Sequence, residues 1–235
     1  MRRLSLLAGL LALGSAEGAL AQQAMDPLNP TCPKSLSFST YRQMRFTYEE
    51  IDGLRILRAE GMIDEDVTER LKAALAEHPA IDEIWIRSPG GNAKAGNAAG
   101  RVIRESMIPT RIPKGWACFS ACNFLFMGGV ARFVDEGAVF AVHMFTHASN
   151  RESIRGEVAG GEDKAVALIG HLEQESALLA SEDNDFLIRM GVSRKLLTDV
   201  MYRQKALKGE GSDQSTRRCL SRDEAFKYNV ANIGQ

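Results

Sequence analysis

Three short stretches carry residue types that could do chemistry. Ser120 stands in Cys118-Phe119-Ser120-Ala121-Cys122, between a breaker at Lys114-Gly115 and the apolar run Phe124 to Met127. A small residue at the mouth of a helix places its hydroxyl beside backbone N–H groups that have no intrahelical partner. His143 closes the apolar run Val139-Phe140-Ala141-Val142, which reads as a buried strand. Ser88-Pro89-Gly90-Gly91 follows Ile84-Trp85-Ile86 and reads as a sharp turn off a strand end. Glycine there lets the backbone approach a ligand with its N–H groups pointing at it. A hydroxyl, an imidazole and a glycine turn, each at the end of a core element, are the parts needed for acyl transfer. The plainer reading of each residue is structural: a serine that starts a helix, a histidine that ends a strand. His147 competes with His143 but lies in loop-like sequence, and His78 and His171 sit on polar helical faces.

The elements that position these residues follow from periodicity. Leu54 to Gly61 reads as a strand. Asp64 to Glu77 reads as a helix, with Asp64 as N-cap and Val67, Leu71, Ala74 and Leu75 at helical spacing. Ile81 to Ile86 is the next strand, so the order predicts a right-handed βαβ unit with a parallel sheet. Ala93 to Ser106 is a second helix whose positive end faces the glycine turn. Thr110 to Pro113 is extended, and Phe38 to Phe46 is read as an edge strand. Thr146 to Gly161 is polar and glycine-rich and reads as a loop. Asp163 to Arg189 is the longest helix, with Val166, Ile169, Leu172, Leu179 and Phe186 on one stripe that suits a core or a subunit interface. Ser193 to Met201 is a short helix carrying Asp199. Ser221 with Glu224 forms a capping box for the last helix, from Arg222 to Tyr228.

Composition bounds the class. A hydrophobic content of 45% and a charged content of 25% are globular values, and a net charge of −1 gives no electrostatic case for nucleic acid. Met1-Arg2-Arg3, the apolar run Leu4 to Ala16 and the site Ala19-Leu20-Ala21 have the layout of a secretory signal peptide, so export is expected, with a retained anchor as the alternative. Three regions result: signal peptide 1–21, N-terminal arm 22–49, and one α/β domain 50–235 with no later membrane segment. All four cysteines, Cys32, Cys118, Cys122 and Cys219, lie beyond the cleavage site. Three connectivities are open. Cys118 and Cys122 are close in sequence, which leaves Cys32 for Cys219, and the first pair requires Cys118 to lie just before the helix. Two free thiols flanking Ser120 are the alternative. A metal site is not expected, because no clustered histidines complete one, and no cofactor is implied.

The run Ser88-Pro89-Gly90-Gly91 with Gly96, the serine in a small-rich segment, and the strand ending in His143 together resemble the proteolytic subunit of the Clp protease, in the Clp/crotonase superfamily. Cys-x-Ser-x-Cys and Gly128-Gly129-Val130-Ala131-Arg132 make the chain most similar to exported Clp-protease-like bacterial proteins. The resemblance spans roughly 50–232 and includes Leu220 to Ala225. It implies a spiral of βαβ units with a long handle-like helix at 163–189 that drives ring stacking, and hence a homo-oligomer. It implies Ser120 as nucleophile, His143 as base, Asp199 as the orienting carboxylate, and the N–H groups of Gly91 and Ala121 as oxyanion hole. The substrate class implied is peptide or unfolded protein. Departures are the two cysteines around Ser120, Met144-Phe145 where a proline usually follows the histidine, and a missing local Asp-x-x-x-Asp pattern at Asp199. Export removes the ATP-driven unfoldase. Three other functions remain: a binding or assembly module without turnover, a Ser-Lys dyad recruiting Lys94 or Lys164, and, least favoured, an acyl-CoA enzyme of crotonase type.

Overall fold

The computed structural model describes residues 24–148, 150–208 and 215–234; the expected signal peptide and the cleavage point before Gln22 lie outside them. The chain is a mixed α/β structure built from successive β-α-β steps. Strands β1 (Met25–Asp26) and β2 (Asn29–Pro33) form a small antiparallel hairpin. Strands β3 (Arg45–Ile51) and β4 (Leu54–Glu60) form a second, turning at Asp52-Gly53, both with positive φ. The arm therefore contains regular structure, and the edge strand begins at Arg45 rather than Phe38.

From β4 the chain alternates. Helix α1 (Val67–Glu77) leads to β5 (Glu83–Arg87), α2 (Ala93–Glu105) to β6 (Thr110–Ile112), and β7 (Ala117–Phe119) to α3 (Cys122–Gly128) and β8 (Arg132–Val134). The larger sheet has the order β3-β4-β5-β6-β8, parallel from β4 onwards. Ile56, Leu57 and Ala59 of β4 and Ile84 and Ile86 of β5 are fully buried, as parallel strands covered by helices require. Asp64 does not cap α1. Its carboxylate instead accepts from the Met44 and Asp66 N–H groups and pairs with Arg70, tying the arm to the helix.

A second sheet, β10-β9-β7, is formed by β9 (Val139–His143), flanked in parallel by β7 and antiparallel by β10 (Arg217–Cys219). Helices α2 and α3 approach closely because their contact is glycine. A Cβ on Gly100 would lie 2.4 Å from the Phe124 carbonyl oxygen. The segment expected as a loop holds helix α4 (Arg151–Ala159) instead. It buries no residue, so the sequence shows no apolar stripe there. Helix α5 (Glu162–Arg189) is the long one. Its stripe divides: Leu179, Phe186 and Leu187 are buried, while Val166 and Ile169 are 62% and 57% exposed. A π-helical turn, Leu196–Val200, follows, and α6 (Arg222–Lys227) carries the capping box at Ser221. Among the described residues no helix is long and apolar enough to cross a membrane.

Arg132 of the Gly-Gly-x-x-Arg run is one of the most deeply buried side chains. Its guanidinium donates to the carbonyls of Gly129, Asn229 and Val230 at 2.8 Å each. Arg104 takes up the carbonyls of Gly128 and Gly129. Two cations thus satisfy the end of α3 and the C-terminal segment, where unpaired acceptors would otherwise be buried.

Candidate active site

Ser120 lies between β7 and α3, at the apex of a turn, with φ of +59°. A left-handed conformation on a residue other than glycine costs free energy and persists only where the surroundings hold it. Three features hold it here. The β7 strand pairs with β9 on one side and, through Ser88, with the end of β5 on the other. The Phe119 N–H donates to the Ser88 carbonyl, and the Ser88 N–H to that of Ala117. Cys118 and Cys122 bracket the turn at disulfide distance, Cα to Cα 5.4 Å, with Cys118 in the strand and Cys122 opening the helix. That is the arrangement a pair four apart needs, since one regular helix does not bring two such cysteines together. The bridge does not cover the serine: Ser120 is part-exposed and lines a cleft.

The glycine turn packs directly on this apex. The Gly90 N–H donates to the Ser88 Oγ at 3.0 Å, and Gly90 has φ of +93°. A Cβ there would stand 2.6 Å from the Phe119 carbonyl oxygen and 2.7 Å from the Ser120 Cβ, so only glycine allows the approach. Gly91, exposed, follows at φ +144° and is held by the bridge between Ile63 and Gly91. Among the described residues the N–H groups of Gly91 and Ala121 donate to no acceptor.

His143 ends β9, opposite Arg217 of β10 and one strand from Ser120. Its Nε2 lies 2.7 Å from the Ser120 Oγ. That is hydrogen-bond distance, in the range a general base needs. Phe119 packs on the imidazole with ring centroids 4.7 Å apart, and Asn123 anchors the start of α3 by donating to the Ala141 carbonyl at 2.9 Å. Burial pushes the imidazole pKa below its ordinary value, while a backbone hydrogen bond at Met144 pulls the other way. The neutral form, able to accept a proton, is thereby favoured.

The other expected residues are placed elsewhere. Asp199 sits in the π-helical turn, where its carboxylate accepts from Thr198 Oγ1 at 3.1 Å and faces Lys195 Nζ at 3.8 Å; no hydrogen bond joins it to His143. Lys94 and Lys164 are exposed, and neither lines the cleft at Ser120. His147 packs edge-on against Phe145, away from the serine's hydrogen bond. Cys32 and Cys219 lie at disulfide distance, Cα to Cα 5.0 Å, and tie the arm to β10, the neighbour of the histidine strand. Among the described residues no group of histidine, cysteine and carboxylate side chains is placed to hold a metal.

One acidic residue of the cleft went unread in the sequence. Asp183 of α5 lines the cleft together with Ser120, Ala121, Asn123, His143 and Phe145. The signal was present: it falls four residues after Leu179 and three before Phe186, on the apolar stripe. It is 6% exposed, and burial, with the charge of Glu182, pushes its pKa up to about 7.

No protein-family model and no curated protein matches the chain. Among solved structures the chain is similar to a ClpP1 mutant from Listeria monocytogenes, at 15% identity and a TM-score of 0.49, over 77% of this chain and 91% of that one. It is also similar to a mutant of the membrane-bound stomatin-specific protease 1510-N, at 15% identity and a TM-score of 0.47, over 76% of each chain.

Proposed function

We propose that the protein is a serine hydrolase that cleaves peptide bonds in peptides or unfolded segments. The observation that carries this reading is the 2.7 Å contact between His143 Nε2 and a Ser120 Oγ presented on a left-handed turn. In this reading the Ser120 Oγ attacks the scissile carbonyl carbon as His143 takes its proton. The imidazolium then gives that proton to the leaving amine, and water repeats the sequence on the acyl-enzyme. The oxygen that becomes negative meets the N–H groups of Gly91 and Ala121. Asp199 enters only if the Leu196–Val200 turn brings its carboxylate to the imidazole. A loss in Asp199→Asn approaching that in His143→Ala would assign it that role.

Export to the periplasm belongs to the same reading. It is supported by the layout of residues 1–21 and by the pairing of all four cysteines, which an oxidising compartment sustains. Self-association is supported by the exposed Val166 and Ile169 on α5; light scattering showing a strict monomer at micromolar concentration would remove it.

The deciding experiment is labelling of the purified protein by a fluorophosphonate probe. The native protein is expected to label and Ser120→Ala not to. If the native protein fails to label, the hydrolase reading fails and a non-catalytic binding module takes its place.

A further inference from the structure

Beside the catalytic cleft lies a cavity of about 330 Å³, and the two share Phe145, Leu179, Asp183 and Met201 as a common wall. Most of its lining is apolar, with Ser176, Asp183 and Tyr202 as its polar residues, and two polar atoms of that lining are buried without a partner. The Asp183 Oδ1 and the Tyr202 hydroxyl have no hydrogen-bond partner, and among the described residues no cation pairs with Asp183. A buried carboxyl oxygen without a partner is costly, so such atoms are uncommon unless something else satisfies them. The groups around it offer no counter-charge. Glu182 on the same helix is acidic, Tyr202 stays protonated with its pKa raised to about 12, and His143 across the cleft is held towards its neutral form.

We infer that Asp183 is the specificity-determining residue of this enzyme, and that the cavity takes a lysine or arginine side chain on the acyl side of the scissile bond. The inference rests on the hydrolase reading and adds the substrate class. The physical case is a match of parts. Phe145, Leu179, Ala180 and Met201 offer apolar walls to a methylene stem. A terminal ammonium or guanidinium carries several donors and no acceptor, and the cavity wall holds a carboxyl oxygen and a hydroxyl oxygen, both able to accept and both without a partner. Binding a cation favours the ionised carboxylate, reversing the effect of burial. An uncharged stem of equal length would fill the same walls and leave both acceptors unpaired, which is the condition under which a polar site rejects an apolar analogue.

Two peptidyl phosphonate probes that differ only in lysine against norleucine test this, alongside the simple fluorophosphonate. The native protein is expected to react about 10- to 100-fold faster with the lysine probe, the range for a charge-assisted hydrogen bond. In Asp183→Asn the lysine-to-norleucine ratio should fall to about one, whatever the absolute rates. A native protein that labels with the fluorophosphonate but shows no lysine preference overturns this inference and leaves the hydrolase reading standing. A preference that survives in Asp183→Asn overturns the assignment to Asp183. No labelling by any probe overturns both readings. Should Asp183→Asn fail to fold, protection of the native protein from the fluorophosphonate by n-pentylammonium, but not by n-pentanol, supports the inference. Equal protection, or none, overturns it.

Discussion

Exchanging each bridged pair for alanine separates what the two disulfides do. Cys32→Ala with Cys219→Ala opens a bridge between residues 187 apart, and Cys118→Ala with Cys122→Ala opens one between residues 4 apart. Each double variant removes two buried sulfurs, so the lost burial is similar and the difference reports the unfolded chain. Closing a loop costs entropy that grows as 1.5R ln n, which gives the long bridge about 5 kcal/mol and the short one about 2 kcal/mol near 25 °C. For a chain of this size each kcal/mol shifts Tm by roughly 2–4 °C, so the long-bridge variant should melt roughly 6–12 °C below the short-bridge variant. Labelling should rank the other way. The short bridge brackets the left-handed turn of Ser120, and a displacement of about 1 Å costs on the order of 10²-fold in rate. Calorimetry and fluorophosphonate kinetics, taken below both melting points, measure the two effects. Equal melting temperatures, or native labelling in the short-bridge variant, would refute the reasoning.

Three further outcomes are expected. Gly90→Ala forces a Cβ to 2.6 Å from the Phe119 carbonyl oxygen and 2.7 Å from the Ser120 Cβ at φ +93°. Labelling should drop on the order of 10²-fold, and a folded variant with native labelling would show that the glycine turn does not set the serine's position. The labelling rate should rise with pH and level off, because in the proposed mechanism the neutral imidazole is the base. Burial lowers the His143 pKa from 6.5, so the midpoint should lie below that value; a midpoint above it would contradict the burial argument. Arg132→Met strands the carbonyls of Asn229 and Val230, while Gly129 keeps its bond from Arg104, and should destabilise by about 3 kcal/mol or more, read by urea denaturation. A loss within about 0.5 kcal/mol, the usual surface value, would mean that these carbonyls find other donors.

Local pattern decided a good part of this protein. Alternation and apolar runs mark β4, β5 and β9 because strands of a covered parallel sheet must be apolar to be buried on both faces. The capping box at Ser221 and the length of α5 are likewise local, set by side chains within a turn or two of one another. The glycine turn, Ser120 and His143 each stand at the end of such an element, so their types and order were legible without knowing where the chain goes. Tertiary structure decided the rest. Strand β7 has three residues and forms only because Ser88 and β9 lie on either side of it. The left-handed φ of Ser120 exists because Gly90 and the Cys118–Cys122 bridge hold it there. Asp199 looked apt by position alone, yet a π-helical turn directs it to Thr198 and Lys195. Asp183 stood on an apolar stripe, but a helical stripe does not say what it packs against. The fold set that stretch of α5 against the cleft at Ser120 and His143, and burial there, not residue type, makes its carboxyl a group of interest.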